Sequence, residues 1–296
     1  MERSYYSKVI LFGEYSMIFD ATAMLMVPLR KFSAHWQFFD EAKSNRAVAS
    51  NGSLRKFCQY LSDDAFLSQL IDINGFSRDL DHGLYLPSNV PTGYGLGSSG
   101  TLVAAVFDRY AKQRIDDLME LKKIFGLMES FFHGSSSGID PLQCYLGKAF
   151  KISSEKGVEL LDDAFLKRNI HVCLIDTRIK SNTKPLVEYF KQQRQNADYL
   201  SRFQQHYVPM VKSCIASLVA GNNEVFFASL KQLTKGQLEF LRPMITENSM
   251  DLFTADFNFH FGVKISGSGG GGYVLGFTDD VVSASKLLEN RDVIWI

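Results

Sequence analysis

The chain has 296 residues, of which 46% are hydrophobic and 22% charged, and its 32 Lys and Arg residues balance 32 Asp and Glu residues. This length allows one large domain or two ordinary ones, and zero net charge argues against nucleic acid as the main ligand. Four cysteines without CxxC spacing predict buried, reduced thiols. The N-terminus does not resemble a signal peptide, and no apolar run reaches the length of a membrane span, so we expect a cytoplasmic protein without a membrane partner.

The first part of the chain predicts strands and then helices. The apolar run Val9–Phe12 is typical of a strand buried on both faces, and Lys8 stands at its entrance. The further elements expected before residue 90 are strands at 23–29 and 32–39, a polar loop at 41–53, helices at 54–61 and 63–71, and a short strand at 83–86.

A glycine-rich stretch, Pro91–Gly100, leads directly into good helix formers. It predicts a turn and then a helix at 99–112, with Ser98 or Ser99 as the N-cap. The free N–H groups of such a first turn suit a phosphate. The pattern G-x-G-x-x-G also marks dinucleotide-binding domains, where it follows a buried strand and precedes an acidic residue by about 20 positions. Here no buried strand leads into the pattern, and the acidic residue at that spacing, Glu120, lies in a helical pattern. A Walker A loop is excluded because its Gly-Lys pair is missing, and a turn that merely starts a helix stays an alternative.

The rest of the chain predicts a second domain. A helix is expected at 116–132, with Glu129 beside its apolar stripe, and a loop of small residues at 133–141. We expect domains at 1–160 and 161–296. The later elements are strands at 148–152, 157–161 and 171–177, helices at 185–207, 208–219 and 224–241, strands at 263–265 and 273–277 around the glycine run 266–272, a helix at 280–289 and a strand at 293–296.

Four polar residues fit phosphoryl transfer to an alcohol when they are taken together. That reaction needs donors around a triphosphate, a metal ion and a carboxylate that takes the hydroxyl proton. Ser99 and Glu129 offer the oxygen ligands that Mg²⁺ prefers, while Lys8 and Asp140 offer a cation and a base. Taken singly, each has an ordinary structural interpretation. Asp140, for example, stands before Pro141 and could simply cap a helix.

Five segments of the chain follow the order of motifs in a known family. Lys8–Glu14, Pro91–Gly100 and Lys264–Gly272 resemble the three motifs of the GHMP small-molecule kinases. Glu129–Asp140, with its two acids 11 positions apart, and Ser181–Val187 resemble segments of the mevalonate kinase branch. The resemblance implies an α+β fold, with an N-terminal domain like ribosomal protein S5 domain 2 and a ferredoxin-like C-terminal domain.

The resemblance also implies an ATP- and Mg²⁺-dependent kinase, most simply one that converts mevalonate to 5-phosphomevalonate in isoprenoid biosynthesis. Asp140 is implied as the catalytic base, and Lys8 as the residue that orients the hydroxyl or stabilises the Asp140 anion. Ser99 and Glu129 are implied as the Mg²⁺ ligands. The implied ATP-binding residues are Gly95, Leu96, Gly97, Ser98, Ser99 and Gly100. The implied acceptor-side residues are Lys8, Glu14, Tyr15, Ser137, Thr183, Gly267, Ser268 and Gly269.

Three positions depart from the mevalonate kinase pattern. Tyr15 replaces a histidine, Phe19–Thr22 replaces a YGxPA segment, and Pro141 replaces an asparagine. Another acceptor, such as phosphomevalonate or a sugar, therefore stays open, as does a protein of this fold that binds ligand without transferring phosphate. The four polar residues are intact, which favours an active enzyme. The sequence does not determine the oligomeric state, and a homodimer stays open.

Overall fold

The computed structural model describes residues 3–19, 22–39, 44–162, 165 and 170–296. Asp20 and Ala21, which belong to the segment Phe19–Thr22 that departs from the mevalonate kinase pattern, lie outside these ranges. Its strands are β1 (Tyr5–Phe12), β2 (Met24–Ala34), β3 (Gln37–Phe38), β4 (Leu84–Tyr85), β5 (Phe150–Ser153), β6 (Gly157–Leu160), β7 (His171–Asp176), β8 (Phe261–Ile265), β9 (Tyr273–Thr278) and β10 (Val293–Trp295). Its α-helices are α1 (Asn45–Asp63), α2 (Leu67–Leu70), α3 (Ile73–Asp81), α4 (Ser98–Tyr110), α5 (Leu118–His133), α6 (Ile139–Leu146), α7 (Thr183–Gln193), α8 (Ala197–Arg202), α9 (Val208–Ala220), α10 (Asn223–Phe240), α11 (Met250–Thr254) and α12 (Val281–Leu287). A π-helical turn, Phe203–Tyr207, lies between α8 and α9.

The strands of the described residues form sheets in which most pairs are antiparallel. One sheet has the order β1-β2-β5-β6, in which β5 pairs antiparallel with β2 and with β6. Another has the order β10-β7-β9-β8 and is antiparallel throughout. β3 and β4 form a short pair. Helices packed with antiparallel sheets define the α+β class, so the predicted fold class is confirmed.

The first compact unit comprises the residues up to Lys8, Pro28–Pro91 and Leu96–Gly147. Within it, helices α4, α5 and α6 pack on one another. The ring of Phe107 on α4 lies 5.1 Å from that of Phe125 on α5, and both side chains are buried. This apolar contact fixes the helices that carry the candidate polar residues.

The second compact unit comprises Val9–Val27, Thr92–Gly95 and Lys148–Ile296. Helix α10 packs against strand β8. The buried ring of Phe12 on β1 lies 6.0 Å from that of Phe226 on α10 and 5.5 Å from that of Phe277 on β9. The two units thus alternate along the chain, and the domain boundary expected after residue 160 stays a prediction.

Two helix predictions differ from the structure because polar residues cap helices inside longer patterns. Helix α1 begins at Asn45, inside the stretch predicted as a loop, because the Ser44 side chain accepts a hydrogen bond from a first-turn N–H at 3.1 Å. The helix predicted at 185–207 is interrupted at Asn196, whose side chain accepts two backbone hydrogen bonds and starts α8. The sequence pattern predicted no helix at 73–81, where helix α3 begins after its N-cap Asp72.

The cysteines are buried free thiols, as predicted, at Cys58, Cys144, Cys173 and Cys214. Burial raises the pKa of each thiol, which keeps it protonated at neutral pH. Among the residues that the structure describes, no helix combines the length and the apolar character that a membrane crossing requires.

Candidate active site

The glycine-rich stretch ends in a left-handed turn that starts helix α4. Gly97 is the N-cap, with a φ of +77°, and no side chain caps the helix there. The predicted N-cap at Ser98 or Ser99 is therefore wrong, because a glycine in the left-handed conformation turns the chain one residue earlier. The first turn of α4 keeps free N–H groups and the positive end of the helix dipole, which together suit an anion.

Lys8 lies against this turn. Its backbone N–H donates to the carbonyl of Leu96 at 3.2 Å. Its ammonium nitrogen lies 2.8 Å from Oδ2 of Asp140, and 5% of the Lys8 side chain is exposed against 34% for Asp140. The lysine is thus fixed inside the protein, while the carboxylate stays open to a ligand.

Helix α6 presents Asp140 in its first turn, two residues after the N-cap Gly138. Helix α4 comes close at this point, since a Cβ on Gly100 would lie 3.0 Å from the backbone of both Asp140 and Pro141. The N-terminal end of a helix stabilises a negative charge. The Asp140 carboxylate is therefore oriented by the contact with α4 and stabilised by both the helix dipole and Lys8.

Ser99 and Glu129 meet between helices α4 and α5. The Ser99 hydroxyl donates to Oε1 of Glu129 at 2.7 Å, and the Ser136 hydroxyl donates to Oε2 at 2.5 Å. Glu129 is 4% exposed. Burial, followed by the charge of Asp140, raises the pKa of Glu129 above its usual range. The carboxylate is thus held among hydroxyl groups at a position where a cation would offset its buried charge.

This pair of oxygen ligands fits Mg²⁺. The ion prefers oxygen and takes only one or two protein ligands, so Ser99 and Glu129 suffice. The described residues contain no cluster of three or more His, Cys, Asp and Glu residues that could hold a metal. Nε2 of His133 also lies 3.1 Å from the Ser99 hydroxyl. No role was predicted for His133 or Ser136, although both lie inside the segment Glu129–Asp140 that follows a family motif.

The second unit brings together other predicted residues. Nζ of Lys264 lies 2.8 Å from Oε1 of Glu14, and the two side chains are 1% and 8% exposed. The Tyr15 hydroxyl donates to the carbonyl of Ser268 at 2.6 Å. The pair Glu14 and Tyr15 is therefore joined to the segment Lys264–Gly272 by an ion pair and a hydrogen bond.

The remaining predicted residues lie in turns and at helix starts. Gly95, Gly267 and Gly269 have positive φ. Ser137 is exposed, and its hydroxyl accepts a hydrogen bond from the backbone N–H two residues later at 3.4 Å. Thr183 begins α7, but its side chain lies outside the described part of the chain.

The local structure argues against two other interpretations of the glycine patterns. Strand β4 ends at Tyr85, well before Gly95, and Glu120 lies on helix α5, which disfavours a dinucleotide site. Residues 134–138 match the hydrolase pattern G-x-S-x-G, but they connect two helices, and their central Ser136 donates to Glu129.

Comparison with known proteins gives one consistent family. Residues 55–148 match the GHMP kinases N terminal domain. The chain is 23% identical to the mevalonate kinase of Dictyostelium discoideum over 335 aligned residues, which cover 90% of this chain and 85% of that protein. Its fold is similar to L. major mevalonate kinase in complex with R-mevalonate (TM-score 0.66, 17% identity, 100% of this chain and 94% of that chain). It is equally similar to Streptococcus pneumoniae phosphomevalonate kinase in complex with phosphomevalonate and AMPPNP (TM-score 0.66, 17% identity, 100% of both chains). The fold is therefore that of the GHMP kinases.

Proposed function

We propose that this chain, whose residues 55–148 match the GHMP kinases N terminal domain, is a kinase that transfers the γ-phosphoryl group of ATP to the primary hydroxyl of mevalonate. The observation that carries the proposal is the contact of 2.8 Å between the buried ammonium of Lys8 and the more open carboxylate of Asp140. A carboxylate that is open to a ligand can accept the proton of an alcohol.

In the proposed reaction, Asp140 accepts the hydroxyl proton while the hydroxyl oxygen forms a bond to the γ-phosphorus. The bond from that phosphorus to the β,γ-bridging oxygen breaks, and ADP leaves with the electron pair. Lys8 lies beside Asp140 and offsets the negative charge where acceptor and phosphate meet. Phosphoryl transfer requires little covalent chemistry from the protein, so positioning and charge carry most of the catalysis.

The residues from Gly95 to Gly100 are proposed to bind the triphosphate through backbone N–H groups and the start of α4. Ser99 and Glu129 are proposed to hold Mg²⁺, because they meet at 2.7 Å and supply two oxygen ligands. A bound Mg²⁺ neutralises charge on the phosphate oxygens. The raised pKa of Glu129 means that a cation at this position also relieves the cost of its buried charge.

Mevalonate is the first choice of acceptor because the sequence relative from Dictyostelium discoideum is a mevalonate kinase. Phosphomevalonate is the second candidate, because the fold is as similar to a phosphomevalonate kinase as to a mevalonate kinase. Tyr15 replaces a histidine of the mevalonate kinase pattern, and this departure keeps another acceptor open.

The test is coupled ADP release by the purified protein with Mg·ATP and, one at a time, mevalonate, phosphomevalonate, galactose and homoserine. We expect turnover with mevalonate and none without an acceptor. Turnover with phosphomevalonate alone would mean that phosphomevalonate is the acceptor and that the same mechanism acts on it. If Mg·ATP binds but no acceptor causes ADP release, the protein binds ligand without transferring phosphate, and the proposal is wrong.

A further inference from the structure

Tyr15 is buried, although it stands on the predicted acceptor side. Its side chain is 2% exposed, and its hydroxyl donates to the main-chain carbonyl of Ser268 at 2.6 Å. Its ring packs edge-on against the buried ring of Phe190 on α7, with centroids 4.6 Å apart. The phenol is therefore fixed at both ends, by an aromatic contact and by a hydrogen bond.

The tyrosine has no second proton to offer a ligand. A phenol carries a single O–H, and here Ser268 accepts it. Burial, followed by the negative charge of Glu14, raises the pKa of Tyr15, so the phenol stays protonated. An acceptor alcohol must therefore receive its hydrogen bonds from other groups.

The loop that Tyr15 contacts is held by a small set of further hydrogen bonds in the same unit. We call residues 266–272 the glycine loop. The Ser181 hydroxyl donates to the carbonyl of Gly269 at 2.9 Å. The N–H of Gly270 donates to Met244 at 2.7 Å, and the N–H of Gly272 donates to Ile179 at 2.6 Å.

Glycines make this loop intrinsically soft. Each glycine that is fixed in one conformation loses more backbone entropy than any other residue, and residues 269–272 are four glycines in succession. External tethers must therefore fix the shape of the loop. Tyr15 supplies one such tether. Few other side chains at this position could do so, because the tyrosine is long enough to bond Ser268 and also has a ring that packs in the core.

We propose that Tyr15 is a positioning residue that clamps the glycine loop through Ser268, and that it does not bind the acceptor itself. The kinetic part of this inference rests on the proposed kinase function. In that setting the clamp sets the geometry of Gly267, Ser268 and Gly269, which are expected on the acceptor side. The structural part concerns the free protein and does not depend on any activity.

The test is Tyr15→Phe, with Tyr199→Phe as the matched control. Tyr199 also donates its hydroxyl to a main-chain carbonyl, that of Phe240 at 2.8 Å, and its ring also contacts Phe190. Both variants lose one phenol-to-carbonyl hydrogen bond and keep the ring. We expect hydrogen exchange of the loop amides in the ligand-free protein to accelerate about 2- to 10-fold in Tyr15→Phe, the factor that one net hydrogen bond allows, and to stay unchanged in Tyr199→Phe.

Unchanged exchange in Tyr15→Phe, or equal acceleration in both variants, would overturn the proposal. If Tyr15→Phe does not fold, Ser181→Ala removes a different tether of the same loop and must show the same local acceleration. In the active enzyme, Tyr15→Phe should raise the KM for the acceptor about 3- to 10-fold and leave the KM for ATP within twofold. A protein without kinase activity would refute the proposed function while leaving the exchange result to decide on the clamp.

Discussion

Lys8 and Asp140 differ in exposure, and this difference defines their proposed roles. The lysine is enclosed at 5% exposure, while the aspartate is open at 34%. An enclosed cation cannot turn away from its partner, whereas an open carboxylate can exchange contact with water for contact with an alcohol. The pair therefore combines a fixed charge with an accessible carboxylate, as the proposed role of Asp140 as the base requires.

Lys8→Met tests the fixed charge at nearly constant volume. We expect kcat to fall about 10²–10³-fold, the loss typical when one preorganised electrostatic contact is removed, with little change in ATP affinity. Lys151→Met is the control, because Lys151 also pairs with a carboxylate, that of Glu159 at 3.4 Å, on the strands β5 and β6. A turnover within twofold of the unmodified enzyme would remove Lys8 from the mechanism.

Glu129→Gln tests the buried carboxylate. Because the pKa of Glu129 is raised by burial and by Asp140, the native state binds more protons than the unfolded state, so stability falls as pH rises through that raised pKa. Without metal, the neutral glutamine should therefore raise Tm at pH 7 and flatten the pH dependence of Tm above about 4.3, the ordinary value for a glutamate.

The same variant should lose the increase in Tm that Mg²⁺ adds to ATP binding, because one of the two proposed ligands no longer carries charge. Thermal unfolding from pH 5 to 8, with ATP alone and with Mg·ATP, measures both effects. An unaltered Mg²⁺ response would contradict the assignment of Glu129.

At the scale of elements, the close approach of helices α4 and α6 sets the position of Asp140. Gly100 makes this approach feasible, because any side chain there would press on the backbone of α6. Gly100→Val should cost about 1–3 kcal/mol of stability, as overpacking does, and should lower kcat at least about 10-fold by moving Asp140 away from Lys8.

Gly52→Val is the matched control for this prediction. Gly52 lies inside helix α1, and a Cβ there meets no atom within 4 Å. Since valine and glycine have similar, low helix propensities, stability should change by less than about 0.5 kcal/mol. Equal effects of the two substitutions on kcat would show that the α4–α6 contact does not position the base.

Helices and strands were predicted well from the sequence where the apolar periodicity was clear. They were predicted poorly where a side-chain cap started a helix inside a longer pattern. Helix α4 was expected at 99–112 and runs from Ser98 to Tyr110, because its apolar face is continuous. The first residue of α1 and the interruption at Asn196 depend on single side-chain caps. Such caps are present in the sequence, but their signal is short and is outweighed by the longer apolar pattern around them.

The candidate site, too, was predictable where the sequence carries a clear pattern and unpredictable where it carries none. Lys8, Ser99, Glu129 and Asp140 were predicted because the chemistry of phosphoryl transfer and the family motifs both require them. The Tyr15–Ser268 hydrogen bond joins residues 253 positions apart, so no local pattern could reveal it.

At the scale of the whole molecule, the compact units do not follow the chain from one end to the other. The second unit includes Val9–Val27, and Phe12 from this segment packs on Phe226 and Phe277. A fragment of residues 161–296 lacks that ring. It should therefore show no cooperative thermal transition and a weak near-UV circular dichroism signal, whereas a cooperative transition would mean that the expected C-terminal domain folds by itself.

The most direct measurement of the central claim is single-turnover transfer of labelled phosphate from [γ-³²P]ATP to mevalonate by Asp140→Asn, with ATP binding measured in parallel. Asp116→Asn is the control, since Asp116 forms an exposed ion pair with Arg114 at 2.7 Å. We predict that Asp140→Asn binds Mg·ATP normally and transfers label about 10²–10⁴-fold more slowly, the usual contribution of a general base, while Asp116→Asn matches the unmodified enzyme. Transfer at an unchanged rate in Asp140→Asn would contradict the account.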